Sequence, residues 1–351
     1  MSSALEELPT YVLRNTKGVE VHVRPLGALI QKLLVPDITG NGECEDVVLG
    51  FDELLPYKDG TSPYFGVVVG RVANRIKDGD LKVGDEAYQV SVNENGNTLH
   101  GGEVGFDKAV WDLVSYEDGK AVVLKHVSPD GDQGFPGEVT VTVEYRLTEP
   151  SDSDDGLLLV DMSAVTTKPT PISLAQHGYW NLNGHGNGSD VLNHNLHLNS
   201  GQYRAVDASL IPTGVLVPTP GTPFDFPEGG SLIGAKIAEV AGGYDHNFVL
   251  DPSVKRECGE RLKVAESLHL TANFWTDKRK VELITNAPAV QFYSGGFLPF
   301  KEGATAKASA MYKKFGGLCL ETGSGLHNNE TDNFIIEPDT SYKHIMVYKF
   351  N

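Results

Sequence analysis

Glu138-Val-Thr-Val-Thr-Val-Glu-Tyr-Arg-Leu147, then Glu149-Pro-Ser-Asp-Ser-Asp-Asp-Gly156, then Leu157-Leu-Leu-Val-Asp-Met-Ser-Ala-Val165: the fold is decided by how this stretch is read. Val139, Val141 and Val143 alternate with Thr140, Thr142 and Glu144. Successive residues of an extended chain point to opposite sides, so this order gives a strand one apolar face. The polar, acidic 149–156 segment is the chain's best candidate for a domain linker, yet strand-like sequence flanks it on both sides. A short break of that kind reads as a hairpin loop. The same period of two recurs outward from there. Val19, Val21 and Val23 alternate with Glu20 and His22, Asn195-Leu-His-Leu-Asn199 repeats the pattern, and Ile345-Met-Val-Tyr-Lys-Phe350 continues it to the end. Gly and Pro clusters punctuate the runs, as turns require. Helical spacing is scarce; the best candidate is Ser231–Val240, with Leu232, Ala235, Ile237 and Val240 roughly on one stripe. The expectation is an all-β fold, a large sandwich of antiparallel sheets, organised as a single domain over residues 1–351.

Composition narrows the functional classes. Among 351 residues, 29 Lys and Arg face 47 Asp and Glu, a net charge of −18. A general nucleic-acid binder needs a basic face to displace counterions from phosphates, so none is expected. An anionic membrane surface is disfavoured for the same reason, and no stretch approaches the ~20 apolar residues of a membrane-spanning helix. Cys44, Cys258 and Cys319 lie far apart, which offers neither a disulfide framework nor a C-x-x-C metal clip. The leading MSSALEELPT carries acids where a signal peptide needs a basic and then an apolar region. A cytoplasmic protein is expected.

Six segments place polar residues where a plain strand would not. In Gly66–Ile76 an apolar run leads into Arg71, Asn74 and Arg75; any one arginine there reads as a surface charge, but Asn74-Arg75 after a buried run reads as donors aimed into a pocket. Asn93–Gly102 sets His100 between a turn-rich stretch and two glycines, which suggests an accessible imidazole. Gln176–Leu182 puts His177 beside Tyr179 and Trp180. Aromatics next to a polar donor suit sugars, whose C–H faces pack on rings while their hydroxyls seek hydrogen bonds; a core aromatic pair with an incidental histidine fits the segment about equally well. Asp245 sits at a glycine turn before an apolar strand, and Gln291 interrupts another. Glu321, inside Leu318-Cys-Leu-Glu-Thr-Gly323, is the least ordinary residue of all, because a carboxylate in an apolar strand is costly to bury unless something pairs with it.

Other motifs fail. Gly184-His-Gly-Asn-Gly188 lacks the strand and helix that frame a phosphate loop. His194 and His197 have the spacing of helix-borne ligands, but in a strand they face opposite sides, so no metal is expected there or elsewhere.

In this order the segments resemble the aldose 1-epimerases, the galactose mutarotase family. The matching signatures are Gly70-Arg-x-Ala-Asn-Arg75, Asn97-x-Leu-His-Gly-Gly102, Gly105-Phe-Asp-Lys-x-x-Trp111, His177-x-Tyr-Trp-Asn-Leu182, Pro212-Thr-Gly214, Gly221-Thr-Pro-Phe-Asp225, Tyr244-Asp-His-Asn-Phe248, Gln291-Phe-Tyr-Ser-Gly295 and Cys319-Leu-Glu-Thr322. They span nearly the whole chain and are specific jointly, not singly. The resemblance implies a β-supersandwich of the galactose mutarotase-like type. It also implies general acid/base opening and reclosure of free hexoses such as galactose and glucose, which interconverts their α and β anomers without a cofactor. Glu321 takes the place of the general base and His177 that of the general acid. His100 hydrogen-bonds near the ring oxygen, Arg75 and Asp245 hold hydroxyls, and Asn74 and Gln291 contribute to substrate binding. The small-molecule partner is a free aldose, and a monomer is expected, with a homodimer as the alternative. The chain departs from the family at Gly323, where many members carry Gln, at Gly296 in place of Asn, at Gly178 in place of Ser or Thr, and across residues 324–336. A hexose-6-phosphate 1-epimerase, a non-catalytic sugar-binding protein on the same fold and a glycoside hydrolase using Asp245 and Glu321 are the competing readings.

Overall fold

The deciding hairpin forms. In the computed structural model, which describes residues 5–39, 43–256, 259–262, 264–298, 306–324 and 334–351, strands Val139–Leu147 and Gly156–Thr166 pair antiparallel from Val139 opposite Thr166 to Leu147 opposite Leu158. They occupy the middle of a nine-stranded sheet. Its spatial order runs Asp112–Glu117, Ala121–Ser128, Val139–Leu147, Gly156–Thr166, Tyr342–Phe350, Lys280–Thr285, His269–Trp275, Asn195–Leu198 and Ser231–Leu232, every pairing antiparallel. A four-stranded sheet is built from the first 46 residues, and a five-stranded one is ordered Pro212–Pro218, Gln202–Val206, Asp245–Val249, Ala289–Tyr293 and Cys319–Gly323. Side chains from all three sheets, among them Val21, Val23, Val141, Val143, Phe248, Phe292, Met346 and Tyr348, merge into one apolar core. The α-helices Leu55–Lys58 and Gly259–Leu262 are a single turn each. The architecture is an all-β antiparallel sandwich, and among the described residues no helix is long and apolar enough to cross a membrane.

Alternation holds where one face of a strand meets the core and fails where both do. Val139–Leu147 buries every second residue. By contrast, the closing strand buries Ile345, Met346, Val347 and Tyr348 in succession. Met346 and Tyr348 enter the main core, whereas Ile345 and Val347 join a separate cluster with Leu157, Leu159, Leu262 and Leu268 on the opposite face. A strand in mid-sheet covered on both sides has no polar face to show.

Ser231–Val240 is not an amphipathic α-helix. Ser231–Leu232 forms an edge strand and Ile233–Glu239 two short 3₁₀ turns kinked at Lys236. Ile233 and Val240 are the buried positions, while Leu232 and Ala235, expected on the apolar stripe, face solvent. His194 precedes its strand rather than lying in it. It is buried, and its Nε2 accepts the Leu182 N–H at 2.9 Å. Arg71 is structural too: fully buried, it donates to Ser128 Oγ and to the carbonyls of Ser128, Pro129 and Pro136. Cys44 and Cys319 are free thiols; Cys258 and most of the divergent 324–336 segment lie outside the described residues.

Candidate active site

The five-stranded sheet explains why polar residues interrupt apolar strands. Its register sets Asn247, Gln291 and Glu321 in one row across three strands, and Asp245, Tyr293 and Cys319 in the next row on the same side. The residues between them, including Phe248, Val290, Phe292 and Leu320, point the other way into the core. One face of the sheet is therefore core, and on the other Asp245, Gln291, Tyr293 and Glu321 line a cavity of about 630 Å³.

Asn74, Arg75, His100, His177, Asp245, Gln291 and Glu321 all line that cavity. Residues up to 247 positions apart in the sequence, Asn74 and Glu321, share one surface. His177 Nε2 lies 3.4 Å from Glu321 Oε2, with only 5% and 7% of the two side chains exposed. His177 is held by its main chain, which donates to the Val67 carbonyl and accepts from Gly66 N–H. The Gln176 side chain bridges the same region, donating to the Gly66 carbonyl and accepting the Gly178 N–H. A Cβ at residue 178 would stand 3.0 Å from both Gln176 Oε1 and Trp180 Nε1, so this brace leaves little room for more than glycine.

The Gln176–Leu182 segment is buried throughout. Its two aromatics divide the work. Trp180 packs on Phe274 and Tyr348 in the core, while Tyr179 stacks on the His177 ring at 5.1 Å and lines the cavity.

His100 is also buried rather than open. Tyr64 covers it edge to face, with 4.6 Å between ring centroids, and Tyr64 lies 5.7 Å from the His177 ring. The neighbouring glycine serves close approach of the main chain: a Cβ on Gly101, at φ +91°, would collide with the Gly70 carbonyl. His100 and Asn74 exchange two bonds, His100 N–H to the Asn74 carbonyl and Asn74 N–H to His100 Nδ1, each 3.1 Å. Nδ1 is thereby fixed as an acceptor, and in the neutral ring Nε2 carries the hydrogen. This decides a second question. Ligand atoms of His100, His177 and Glu321 cluster within 4.8 Å, close enough to hold a cation. His100 has no lone pair on Nε2 to give one without breaking the Asn74 bond, so a cation held there would cost that hydrogen bond.

Burial governs the electrostatics. It pushes the Glu321 carboxyl up to about 8, with Asp245 adding to the rise and Arg75 opposing it. It pulls His177 down to about 4, and His100 well below the ordinary imidazole value with help from the His177 and Arg75 charges. Asp245 is raised by burial against the pull of Arg75 and of Gln291, whose Nε2 donates to Asp245 Oδ1 at 2.7 Å. Gln291 Oε1 is buried with no hydrogen-bond partner among the described residues. Two titratable groups with pKa values driven apart in a shared cleft mark acid/base chemistry.

Tyr64, Glu94 and Asp107 also line the cavity and were not anticipated. Their signals were slight: an aromatic in the turn-rich Ser62-Pro-Tyr-Phe-Gly66 stretch, an acid opening Glu94-Asn-Gly-Asn97, and the Asp of Gly105-Phe-Asp-Lys108.

Known proteins resemble this chain over nearly its whole length. The sequence model of the aldose 1-epimerase family matches residues 9–349. The chain is 38% identical over 338 residues to the galactose mutarotase of Mus musculus, covering 95% of this chain and 91% of that protein. It is 35% identical over 316 residues to the aldose 1-epimerase of Escherichia coli K12, covering 88% and 84%. Among solved structures, the aldose epimerase homologue from C. elegans superposes with a TM-score of 0.82 at 27% identity, covering 98% of this chain and 99% of that one. The galactose 1-epimerase of Lactobacillus acidophilus superposes at 0.78 with 25% identity, covering 97% and 93%.

Proposed function

This chain belongs to the aldose 1-epimerase family and interconverts the α and β anomers of free hexoses, and we propose that Glu321 and His177 are its proton-transfer pair while Asn74, Arg75, His100, Asp245 and Gln291 hold the sugar. The observation that carries the assignment is the 3.4 Å approach of His177 Nε2 to Glu321 Oε2 inside the common cavity. The two oxygens that exchange protons in a hemiacetal share one carbon, so the groups serving them must be neighbours.

The reaction runs as a closed proton cycle. With Glu321 ionised and His177 protonated, the carboxylate takes the O1 proton as the C1–O5 bond breaks, and the imidazolium delivers its proton to O5. The open-chain aldehyde then faces a neutral carboxylic acid and a neutral imidazole. That pairing is the one burial favours, since Glu321 is raised and His177 lowered. Rotation about C1–C2 offers the other carbonyl face. O5 attacks it, its proton returns to His177, and the carbonyl oxygen takes the proton of Glu321. One proton belongs to the pair throughout. The His100 Nε2–H supplies a fixed donor for charge developing on the ring oxygen.

Glu321→Gln keeps the shape and removes the base. Polarimetry on freshly dissolved α-galactose or α-glucose should show kcat reduced by roughly 10²–10⁴, with competitive binding of sugar retained. Wild-type rates in this variant would mean that Glu321 is not the base. We propose a single-domain monomer, with a homodimer as the alternative; light scattering distinguishes them. The acidic balance and free thiols support a cytoplasmic setting, which cell fractionation tests.

A further inference from the structure

Arg75 reaches the cavity already engaged. Glu94 accepts its Nε at 3.2 Å and its Nη2 at 3.1 Å, a two-point grip along one edge of the guanidinium. The pair sits at the cavity wall, with 10% of the arginine and 27% of the glutamate side chain exposed. Glu94 is presented rigidly. Glu94-Asn-Gly-Asn97 is a tight turn in which Glu94 N–H donates to the Asn97 carbonyl at 3.0 Å and Asn97 N–H to the Glu94 carbonyl at 2.8 Å. Asn95 and Gly96 adopt φ of +48° and +86°, the left-handed pair such two-residue turns require. Asn93 ties the turn down, accepting the Leu99 N–H and donating to the carbonyls of Leu99 and Gly102. The arginine is fixed in the same frame, because Arg75 pairs with Leu99 across a two-stranded ladder.

The other charges facing the cavity sharpen the meaning of that grip. Glu103, Asp107, Asp245 and Glu321 are acidic residues, the last three pushed toward their neutral forms by burial, and the remaining cationic side chain lining the cavity, Lys108, donates its Nζ to the Glu103 carbonyl. An arginine with an open fork is a ready receptor for phosphate or carboxylate. Here one edge of the fork is filled by the protein's own carboxylate, and an anionic substituent approaching Arg75 would meet Glu94 first.

We propose that Glu94 is a specificity-determining residue that fixes Arg75 for hydroxyl recognition and excludes sugars bearing phosphate or carboxylate groups. The inference rests on the reading above that Arg75 contacts the substrate. Repelling the wrong ligand by a built-in like charge is a common route to selectivity.

The test uses polarimetry of α-glucose with glucose 6-phosphate as competitor, in the wild type and in Glu94→Gln, Glu94→Asp and Arg75→Met. In Glu94→Gln the inhibition constant for glucose 6-phosphate should fall by roughly tenfold and regain its wild-type value at high salt. The KM for glucose should rise several-fold with a smaller change in kcat. Glu94→Asp, charged but shorter, should keep the exclusion of phosphate. Equal inhibition in folded wild type and Glu94→Gln overturns the proposal, as does wild type that binds glucose 6-phosphate as tightly as glucose. If Arg75→Met leaves the KM for glucose unchanged, the reading of Arg75 fails. If it raises KM while Glu94→Gln changes nothing, that reading stands and the role given to Glu94 falls.

Discussion

Glu321 is a carboxyl held where ionisation is unfavourable, and its pH behaviour follows from that. Its value of about 8 and the His177 value of about 4 bracket a range in which the pair carries a single proton. Below that range the pair gains a second proton and the carboxylate is lost; above it, the acid is lost. A bell-shaped profile of kcat/KM is expected, with limbs near 4 and 8 that belong to the pair as a unit. Steady-state polarimetry across pH checks it, and a flat rate through pH 9 would contradict it. Stability moves with the same protons. From its unfolded value near ~4.3 up to about 8, Glu321 binds in the folded state a proton the unfolded chain has released, so its contribution declines as pH rises. His177 acts in the opposite sense, its contribution lost as pH falls from ~6.5 toward about 4. Glu321→Gln should therefore be more stable than wild type at pH 8, by on the order of 1 kcal/mol or more, and should lose that advantage near pH 4. Thermal melts across this range decide it; a pH-independent difference would show that the carboxyl is not strained by burial.

The glycine departures from the family pattern test the elements that carry the site. Gly296 follows the Ala289–Tyr293 strand, where a Cβ would stand far inside contact distance of the Gly242 carbonyl oxygen. At Gly323, ending the Cys319–Gly323 strand, a Cβ would find only ordinary contacts, 3.7 Å to Ser173 Oγ and 3.8 Å to the Leu174 carbonyl. Gly296→Ala should cost ~2–4 kcal/mol, because main chain must shift, and Gly323→Ala less than ~1 kcal/mol. Denaturant unfolding separates them, and equal costs would mean that the loop from Gly295 yields freely. What was legible at this scale followed the same logic of space. Period-two strands with one core face, such as Val139–Leu147, declared themselves because half their residues remain polar. The closing strand had its existence legible but not its two-sided burial, which depends on the distant Leu262 and Leu268. Ser231–Val240 misled because apolar spacing near three fits a 3₁₀ turn as well as an α-helix, and only the neighbouring sheet edge decides between them.

For the molecule as a whole, the seven cavity residues could be found in the sequence because each breaks a local rule, a polar group placed where an apolar strand or glycine turn needs none. Their convergence could not be derived from any one segment; it depends on the sheet register that aligns Asn247, Gln291 and Glu321. Tyr64 and Glu94 break no local rule and became visible only once His100 and Arg75 stood beside them. The same separation of local from global applies to charge. A net −18 spread over the chain produces a long-range field, yet the substrate is a neutral aldose on which that field exerts no steering force. Screening of charges acts over about 10 Å in 0.1 M salt and reaches poorly into buried groups such as Glu321 and His177. For wild type, kcat/KM on α-glucose should therefore vary by less than about twofold between dilute buffer and ~0.5 M salt. Stopped-flow polarimetry at constant pH measures this. A steep decline with salt would place exposed charge, rather than the buried pair, in control of the reaction.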